Sequence, residues 1–353
     1  MAAGTELDSP GMPFCSIVPP HILVAIAENG SADERRAALA TIALSERFRW
    51  RRHLLGALAL ATPVGEKRRT VFDAKHSTRL PGTLVMSEGD PPSTDVEVNE
   101  AYGGAGSTYD LYFDVYGRNS IDNKGLRLDS SVHYGKAYDN AFWNGAQMVY
   151  GDGDGKLFER FTISIDVIGH ELTHGVTAAE ANLDYQDQPG ALNESFSDVF
   201  GSLVKQWTLK QTAGQADWLI GQGLLAPTVQ GVALRSMKAP GTAYDDPVLG
   251  KDPQPATMSG YVQTTDDDGG VHINSGIPNH AFYLAAVALG GLAWEAAGKI
   301  WYDALTKRLR HDSDFADCAK QTTAAAADLF GAGGKEEKAV RDAWSQVGVA
   351  AGS

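Results

Sequence analysis

Residues 163–175 read Ile163-Ser-Ile-Asp-Val-Ile-Gly-His170-Glu171-Leu-Thr-His174-Gly175. The apolar residues before the first histidine predict a buried helix, and helical residues four positions apart lie on one face about a turn from each other. Such a pair of imidazoles suits a tetrahedral zinc ion, which takes nitrogen ligands at roughly 2.0–2.1 Å. Glu171 can then lie beside the metal and take a proton from zinc-bound water. The alternative is a core helix whose histidines only satisfy local hydrogen bonds.

A hydrolytic zinc site also needs a third protein ligand and one open position for water or substrate. Residues 190–207 carry apolar residues at helical spacing, and this predicted helix supplies Glu194, with Asp198 one turn later on the same face. Glu194 is a fitting third ligand. Asp198 could accept the free N–H of a ligating histidine and so fix its tautomer. The alternative for two acids on a helix is a solvated face.

The composition is that of an ordinary soluble globular protein, since 43% of the 353 residues are hydrophobic and 21% are charged. The net charge of −14 argues against nucleic acid or a membrane surface as a partner, because both are anionic. No apolar stretch reaches the ~18–20 residues that span a bilayer, and the N-terminus lacks the basic start and apolar core of a secretory signal. The two cysteines, Cys15 and Cys318, provide no disulfide framework. We therefore expect a cytoplasmic protein, or one exported by a route without a classical signal peptide.

Three regions follow one another along the chain. Residues 1–65 predict one helix over 22–27, a second that follows the capping box at 31–34 and runs to about Leu58, and an exposed linker. Such a segment suits a prosegment that is later cut away, and an ordinary N-terminal helical subdomain is the alternative. The other two regions, residues 66–183 and 184–353, are predicted to be β-rich and α-helical respectively.

The element predictions within these two regions are as follows. The β-rich region contains predicted strands at 71–73, 82–86 and 96–99, a strand or the start of a helix at 109–116, a further hairpin over 130–134 and 141–150, and a tight turn at 151–155. The helical region contains an irregular stretch at 208–268 and predicted helices at 190–207, 279–292, 292–309, 312–329 and 334–347.

The motif His170-Glu-Leu-Thr-His174, with Glu194 twenty residues further on, resembles the thermolysin-like zinc metallopeptidases. Four more segments match family segments in the same order: Ser131-Val-His-Tyr134, Asp139-Asn-Ala-Phe-Trp-Asn144, Tyr150-Gly-Asp-Gly-Asp-Gly155 and Gly269-Gly-Val-His-Ile-Asn-Ser-Gly276. The match extends from about Thr70 to the C-terminus. The short N-terminal segment with Pro19-Pro20 resembles the compact prosegments of the protealysin-like branch, which lack a signal peptide.

This resemblance implies an α+β fold, a thermolysin-like two-lobed zincin with a β-rich N-terminal lobe and an α-helical C-terminal lobe. The zinc-binding helix would lie between the lobes, and a small helical prosegment would precede them. One zinc ion would be held by His170, His174 and Glu194, with Asn193 and Asp198 supporting the ligands.

The resemblance also implies the catalytic residues. Glu171 would be the general base that activates the water and later protonates the departing amine. His272, positioned by Asp267, and Tyr185 would each donate a hydrogen bond to the tetrahedral oxyanion. These groups would all face the charge that grows as water attacks an amide, which is where stabilisation has most effect.

For the substrate, Asn140 and the backbone of Ala141 resemble the edge strand on which the family lays a peptide. Arg235 matches the arginine that holds a substrate carbonyl. The wall of an apolar pocket just beyond the scissile bond is matched by Phe158, Val167, Ile220 and Leu234. This pocket would favour cleavage on the N-terminal side of bulky hydrophobic residues, although core packing is the other reading of each position.

One departure from the family concerns calcium. Larger members bind paired calcium ions beside the active site, and the matching positions here are Asp166, Lys205, Asp217, Leu219 and Gln222. Only two acids remain, and the ammonium of Lys205 could lie between them in place of the metal. We therefore expect no calcium at this site.

The resemblance to short prosegments implies latency. Pro19-Pro20 and the apolar run after them could press the prosegment into the cleft as an intramolecular inhibitor, and removal is expected by a cut between about Arg51 and Val71. Cys15 could ligate the zinc as a thiolate or be a small apolar residue in an interface.

The sequence thus predicts a zinc metalloendopeptidase that is made as a latent precursor and acts on proteins or peptides. One alternative is a catalytically silent zinc-binding interaction module of the same fold, although the predicted base and oxyanion donors are all present. Another is a zinc exopeptidase, but no motif for capturing a substrate terminus is found.

Overall fold

The structure, a computed structural model, describes residues 16–51 and 64–350, with the side chains of residues 46–51 excepted. Residues 16–51, the N-terminal segment, contain helices α1 (Pro20–Asn29) and α2 (Ala32–Arg51). The capping box before α2 is confirmed, since Glu34 Oε2 accepts the Ser31 N–H at 2.6 Å and Ser31 Oγ accepts the Glu34 N–H at 3.5 Å. The predicted end of this helix near Leu58 and the predicted role of Cys15 lie outside the described residues.

Five strands form a mixed sheet: β1 (Arg69–Asp73), β2 (Thr83–Ser87), β3 (Leu128–Val132), β4 (Ala141–Trp143) and β5 (Met148–Tyr150). Their spatial order is β2-β1-β3-β5-β4, with β1–β3 and β3–β5 parallel and the two outer pairs antiparallel. The strands predicted at 71–73 and 82–86 are confirmed. Within the hairpin predicted over 130–134 and 141–150, β4 and β5 do form an antiparallel pair, but β3 runs parallel to β5, so the first of these segments is a neighbouring strand and not part of a hairpin. Because β4 is at the edge of the sheet, one side of its backbone is open to an added extended segment.

The strand predicted at residues 96–99 is wrong, because these residues are the first turn of helix α3 (Val96–Tyr116). Asp95 caps this helix, its side chain accepting the Glu97 N–H at 2.9 Å. Two valines alternating over four residues matched the period of a strand, but the buried residues Val98, Ala101 and Ala105 follow the period of a helix. Residues 109–116, left open between strand and helix, are the end of the same helix.

The tight turn predicted after β5 is confirmed. Asp154 Oδ1 accepts the backbone N–H groups of residues 156–158 at 2.9, 2.8 and 3.1 Å. In the same turn, Asp152 Oδ1 lies 3.0 Å from His133 Nδ1, and the other ring nitrogen of His133 lies 2.8 Å from Asp95 Oδ2. Burial alone would lower the pKa of His133, but the surrounding carboxylates raise it to about 9. A cationic imidazole therefore joins this turn to the start of α3.

Helix α4 (Ile165–Ala179) carries the two histidines of the motif, and helix α5 (Asp187–Leu209) packs along it. A Cβ atom on Gly201 would lie 2.4 Å from the carbonyl oxygen of Asp166, so the two backbones approach as closely as only glycine allows. This approach brings the acids of α5 within reach of the histidines of α4.

After α5 the chain is irregular, as expected, apart from the short strands β6 (Leu219–Ile220), β7 (Arg235–Ser236), β8 (Asp245–Asp246) and β9 (Gly250–Lys251). The helices that follow are α6 (Asp267–Asn274), α7 (Gly276–Leu289), α8 (Ala297–Lys307), α9 (Phe315–Phe330) and α10 (Lys335–Gln346). The fold is thus α+β, with a β-rich part before α4 and a helical part after it. The exact region boundaries at residues 65 and 183 stay predictions. No helix within residues 16–51 and 64–350 has the length and apolar character needed to cross a membrane.

Candidate metal centre and substrate cleft

Three ligand side chains from α4 and α5 converge in the interior. Nε2 of His170 and Nε2 of His174 are 3.0 Å apart, and the two carboxylate oxygens of Glu194 lie 3.5 and 3.4 Å from them respectively. Ligands of a tetrahedral zinc ion at about 2.0–2.1 Å are separated by about 3.3 Å, so these atoms fit around one ion. Glu194 Oε2 is buried and accepts no hydrogen bond from the described residues, as expected of an oxygen that faces a cation.

The protonation states at the three side chains suit metal binding. Burial lowers the pKa of His174 to about 3, so its imidazole is neutral and has a lone pair to give. Burial alone would raise the pKa of Glu194, but the imidazoles of His272, His174 and His170 lower it to about 2. The carboxylate is therefore ionised at neutral pH.

A second layer of side chains orients the two histidines. His170 Nδ1 lies 2.8 Å from Asp198 Oδ1, and His174 Nδ1 lies 2.9 Å from Asn193 Oδ1 and 3.1 Å from Ser197 Oγ. With Nδ1 as the donor, Nε2 of each ring faces the centre as an acceptor. Asn193 and Asp198 therefore lie beside the two histidines, the positions predicted for them. Ser197 was missed, although it follows Asn193 by four residues, the spacing that relates Asp198 to Glu194.

Arg235 holds Asp198 through two hydrogen bonds, from Nε to Oδ2 and from Nη2 to Oδ1, both 2.8 Å long. Asn279 Nδ2 donates to the same carboxylate at 2.8 Å. Arginine and aspartate are both fully buried. Arg235 therefore stabilises the support of His170, a role in addition to the predicted contact with substrate, and nothing in the sequence pattern pointed to Asn279.

Glu171 lies beside the ligands on α4 and is fully buried. Its Oε2 accepts the backbone N–H of Trp143 at 2.9 Å, so the edge strand β4 fixes the orientation of the carboxylate. A backbone donor has no signature in residue types, and sequence reasoning missed it.

The predicted oxyanion donors are brought to the same place. Asp267 Oδ1 lies 2.6 Å from His272 Nδ1, and Asp267 Oδ2 accepts the His272 backbone N–H at 2.9 Å. Tyr185 Oη lies 3.3 Å from His272 Nε2 and donates to Glu194 Oε1 at 2.5 Å. Burial alone would lower the pKa of His272, but the carboxylates of Asp267 and Glu194 raise it to about 9. The ring is therefore a cationic donor at neutral pH.

The N-terminal segment lies in the cleft, along the outer side of β4. The Ile17 N–H donates to Ala141 O at 3.2 Å, and the Val18 N–H donates to Asn140 Oδ1 at 3.0 Å. Asn140 Nδ2 also donates to Val18 O at 3.4 Å, and Arg235 Nη1 donates to Ile17 O at 3.1 Å. All three predicted residues for backbone recognition therefore contact a segment of the same chain.

The predicted pocket residues are all buried: Phe158, Val167, Ile220 and Leu234. They belong to the same continuous apolar cluster as Ile17, which is itself fully buried. Their packing is consistent with both of the readings that the sequence left open, a pocket wall and a core.

The positions that match the family's calcium site meet around an ammonium group. Lys205 Nζ lies 3.2 Å from Asp166 Oδ2 and 2.8 Å from Asp217 Oδ2, and donates to Leu219 O and Gln222 Oε1 at 3.4 Å. Burial alone would lower the pKa of Lys205, but the two aspartates raise it. A charged amine therefore lies between these acids.

Two family profiles match the chain, described as thermolysin metallopeptidase, catalytic domain, over residues 63–178 and thermolysin metallopeptidase, alpha-helical domain, over residues 181–349. An extracellular metalloprotease of Pectobacterium carotovorum subsp. carotovorum is 52% identical over 96% of this chain and 97% of the relative. Protease PrtS of Photorhabdus sp. (strain Az29) is 50% identical over 95% and 92%. Among solved structures, the precursor of protealysin, a metalloproteinase from Serratia proteamaculans, is 57% identical, with a TM-score of 0.88 over 95% of this chain and all of that one.

Proposed function

The chain belongs to the thermolysin family, in its protealysin-like branch, and is a zinc metalloendopeptidase that acts on proteins; we propose that it is made as a latent precursor and cuts on the N-terminal side of bulky hydrophobic residues. The observation that carries the proposal is that the N-terminal segment lies along β4 and is hydrogen-bonded to the residues predicted to bind substrate. A cut in the linker that follows α2 would free the cleft.

His170, His174 and Glu194 would hold the zinc ion, which supplies a Lewis acid that polarises the substrate carbonyl and acidifies water. Glu171, oriented by the Trp143 N–H, would accept the proton of the attacking water and pass it to the departing amine. His272 would donate to the oxyanion from the other side of the cleft.

Specificity would come from the apolar pocket beyond the scissile bond. Asn140 and Ala141 would bind the peptide backbone as an added strand, and Arg235 would hold the carbonyl of the residue whose side chain enters the pocket. Burial of a Leu, Ile, Val or Phe side chain contributes about 1.5–3 kcal/mol, which favours these residues over small or polar ones.

Latency would follow from contacts that the N-terminal segment makes on both sides of the cleft. Ser45 Oγ lies 3.0 Å from Tyr138 Oη, and His21 Nε2 lies 2.9 Å from Tyr244 Oη. Thr41 Oγ1 accepts the backbone N–H of residue 139 at 3.1 Å. These contacts would hold the segment in place while it blocks the substrate-binding edge of β4.

A time course of the purified, zinc-loaded chain beside its Glu171→Ala variant tests this function. We expect the wild type to lose its N-terminal segment by a cut between residues 51 and 71 and to gain chelator-sensitive casein hydrolysis, while the variant does neither. A trace of an outside protease, added to both, separates self-processing from processing in trans. A wild type that is cut at this linker by the outside protease, retains one zinc and still hydrolyses nothing would instead be a silent zinc-binding module.

We further propose that Lys205 replaces calcium beside the active site. Calorimetry with calcium on the zinc-loaded protein should give no binding heat, and added calcium should not raise the melting temperature, because only a ligand that binds the folded state does so. A matched Asp166→Ala variant provides the control. Tight calcium binding in the wild type that disappears in this variant would contradict the proposal.

A further inference from the structure

We propose that the Ser16–Ile17 peptide bond is itself a scissile bond of this enzyme, so that the chain can cut its own N-terminal segment in cis inside the cleft. This inference rests on the proposed function, because it assigns the register in which the latent chain occupies that active site. It also adds a cut distinct from the one expected between residues 51 and 71.

The backbone of the segment has the register of a substrate. The Ile17 N–H donates to Ala141 O, and Arg235 Nη1 donates to the Ile17 carbonyl oxygen. The Val18 N–H donates to Asn140 Oδ1, and Asn140 Nδ2 donates to the Val18 carbonyl oxygen. Under the proposed function, Arg235 would hold the carbonyl of the residue whose side chain follows the scissile bond, and in this structure that residue is Ile17. The bond in the cutting position is therefore the one before Ile17.

The carbonyl on the other side of this bond points at the catalytic donor. Ser16 O lies 3.3 Å from His272 Nε2, the nitrogen predicted to hold the oxyanion. Ser16 is also close to Asn140, whose Nδ2 donates to Ser16 Oγ at 3.2 Å. The carbonyl that water would attack is therefore within reach of the predicted oxyanion donor, as a productive complex requires.

The Ile17 side chain, which follows the proposed scissile bond, matches the proposed preference for bulky hydrophobic residues. Ile17 is fully buried in the apolar cluster that contains the pocket residues, such as Val167 and Leu234. A β-branched apolar residue at this position is what the pocket would select in a protein substrate. The segment thus combines substrate direction, substrate backbone contacts and a preferred side chain.

The reaction is an ordinary hydrolysis and needs only water. The water oxygen forms a bond to the Ser16 carbonyl carbon, and the bond from that carbon to the Ile17 nitrogen breaks. Glu171 accepts a proton from the water and delivers it to the leaving nitrogen, and the second proton of the water passes from the new carboxyl group to the same nitrogen. The products are a carboxylate on Ser16 and an ammonium on Ile17, with residues 1–16 released.

The first test follows the precursor by intact mass and N-terminal sequencing after zinc loading. We expect a form that begins at Ile17, produced with a first-order rate that does not change when the protein is diluted a hundredfold. Glu171→Ala precursor mixed with wild type should not give the form that begins at Ile17, since this cut is in cis. An Ile17→Leu precursor should be cut, and an Ile17→Asp precursor should be cut about 100-fold more slowly or not at all, because the pocket would have to bury a charge.

A second test places the same bond in trans. A synthetic peptide of residues 12–24, with serine replacing Cys15 so that no thiol reaches the zinc, is incubated with enzyme freed of its N-terminal segment. Mass spectrometry should show one cut, between residues 16 and 17. Binding of the same peptide to the Glu171→Ala protein, measured by calorimetry, should weaken at least about tenfold when Ile17 is replaced by aspartate and not by leucine.

The outcomes separate this inference from the function on which it rests. If the enzyme hydrolyses casein but the peptide is cut at other bonds and no chain beginning at Ile17 forms, the inference is wrong and the function stands. If the freed enzyme hydrolyses neither casein nor the peptide, the proposed function fails and the inference fails with it.

Discussion

Replacing Glu171 by glutamine should lower kcat/KM for a blocked internal peptide by about 10³-fold, within the range of 10²–10⁴ that a positioned general base contributes. Glutamine has nearly the same shape, and its amide oxygen can still accept the Trp143 N–H that now binds the carboxylate at 2.9 Å. It cannot accept the proton of the attacking water. The measurement uses protein freed of its N-terminal segment by a trace of an outside protease, with zinc content determined on the same sample.

The matched control is Glu295→Gln, which makes the same chemical change at an exposed position. This control should keep full activity and one zinc per chain. In Glu171→Gln the zinc should also remain, because the three ligands are untouched, so loss of activity together with loss of zinc would point to a structural effect. Activity within about tenfold of the wild type would contradict the assignment of Glu171 as the base.

Replacing Arg235 by methionine should reduce the free energy of unfolding by about 3–5 kcal/mol, because it leaves the buried carboxylate of Asp198 without its cation. The guanidinium now forms two 2.8 Å bonds with that carboxylate. Burial alone would raise the pKa of Asp198, but Arg235 and His170 hold it well below its usual range. Because the pKa of Asp198 is lower in the folded state than its unfolded-state value of 3.8, the ionised carboxylate stabilises the folded state fully when the pH is above that value. This stabilisation is lost as the pH falls towards the folded-state pKa.

The difference in free energy of unfolding between the wild type and Arg235→Met should therefore be largest at neutral pH and should decrease below about pH 4. Denaturant unfolding should be measured in a Glu171→Ala background, which prevents self-digestion. Asn279→Ala removes one neutral donor from the same carboxylate and should cost only about 1 kcal/mol. An Arg235→Met protein as stable as the Asn279→Ala protein would show that the carboxylate does not depend on the guanidinium.

The sequence was sufficient for those features that depend on local spacing. His170 and His174 lie on one face of α4 and can share a metal ion because four residues make about one helical turn, and Asp198 lies a turn beyond Glu194 for the same reason. Local spacing was also the source of the error at residues 96–99, where two alternating valines fit a strand as well as a helix. Asp95, which caps the helix, decided between them.

Features that depend on contact between distant segments were not predictable from spacing. Glu194 meets the histidines because Gly201 lets α5 approach α4; the sequence offered it as a fitting third ligand, but spacing alone could not show that the two helices pack together. Asn279 reaches Asp198 from 81 positions away, and the Trp143 donor belongs to the backbone. The register that places Ile17 on Ala141 depends on how α1 and α2 dock, which no motif encodes.

The bonds of Ile17 and Val18 to the cleft are formed by a segment that is still part of the same polypeptide. A tethered ligand acts at an effective concentration in the millimolar range, whatever the concentration of the protein. Before the linker is cut, dilution therefore cannot release the segment. After the cut, the same bonds have to act at the bulk concentration of the fragment, which falls with every dilution. Activation is therefore irreversible, because it depends on the covalent connection of the segment to the rest of the chain and not on the strength of the hydrogen bonds that the segment forms.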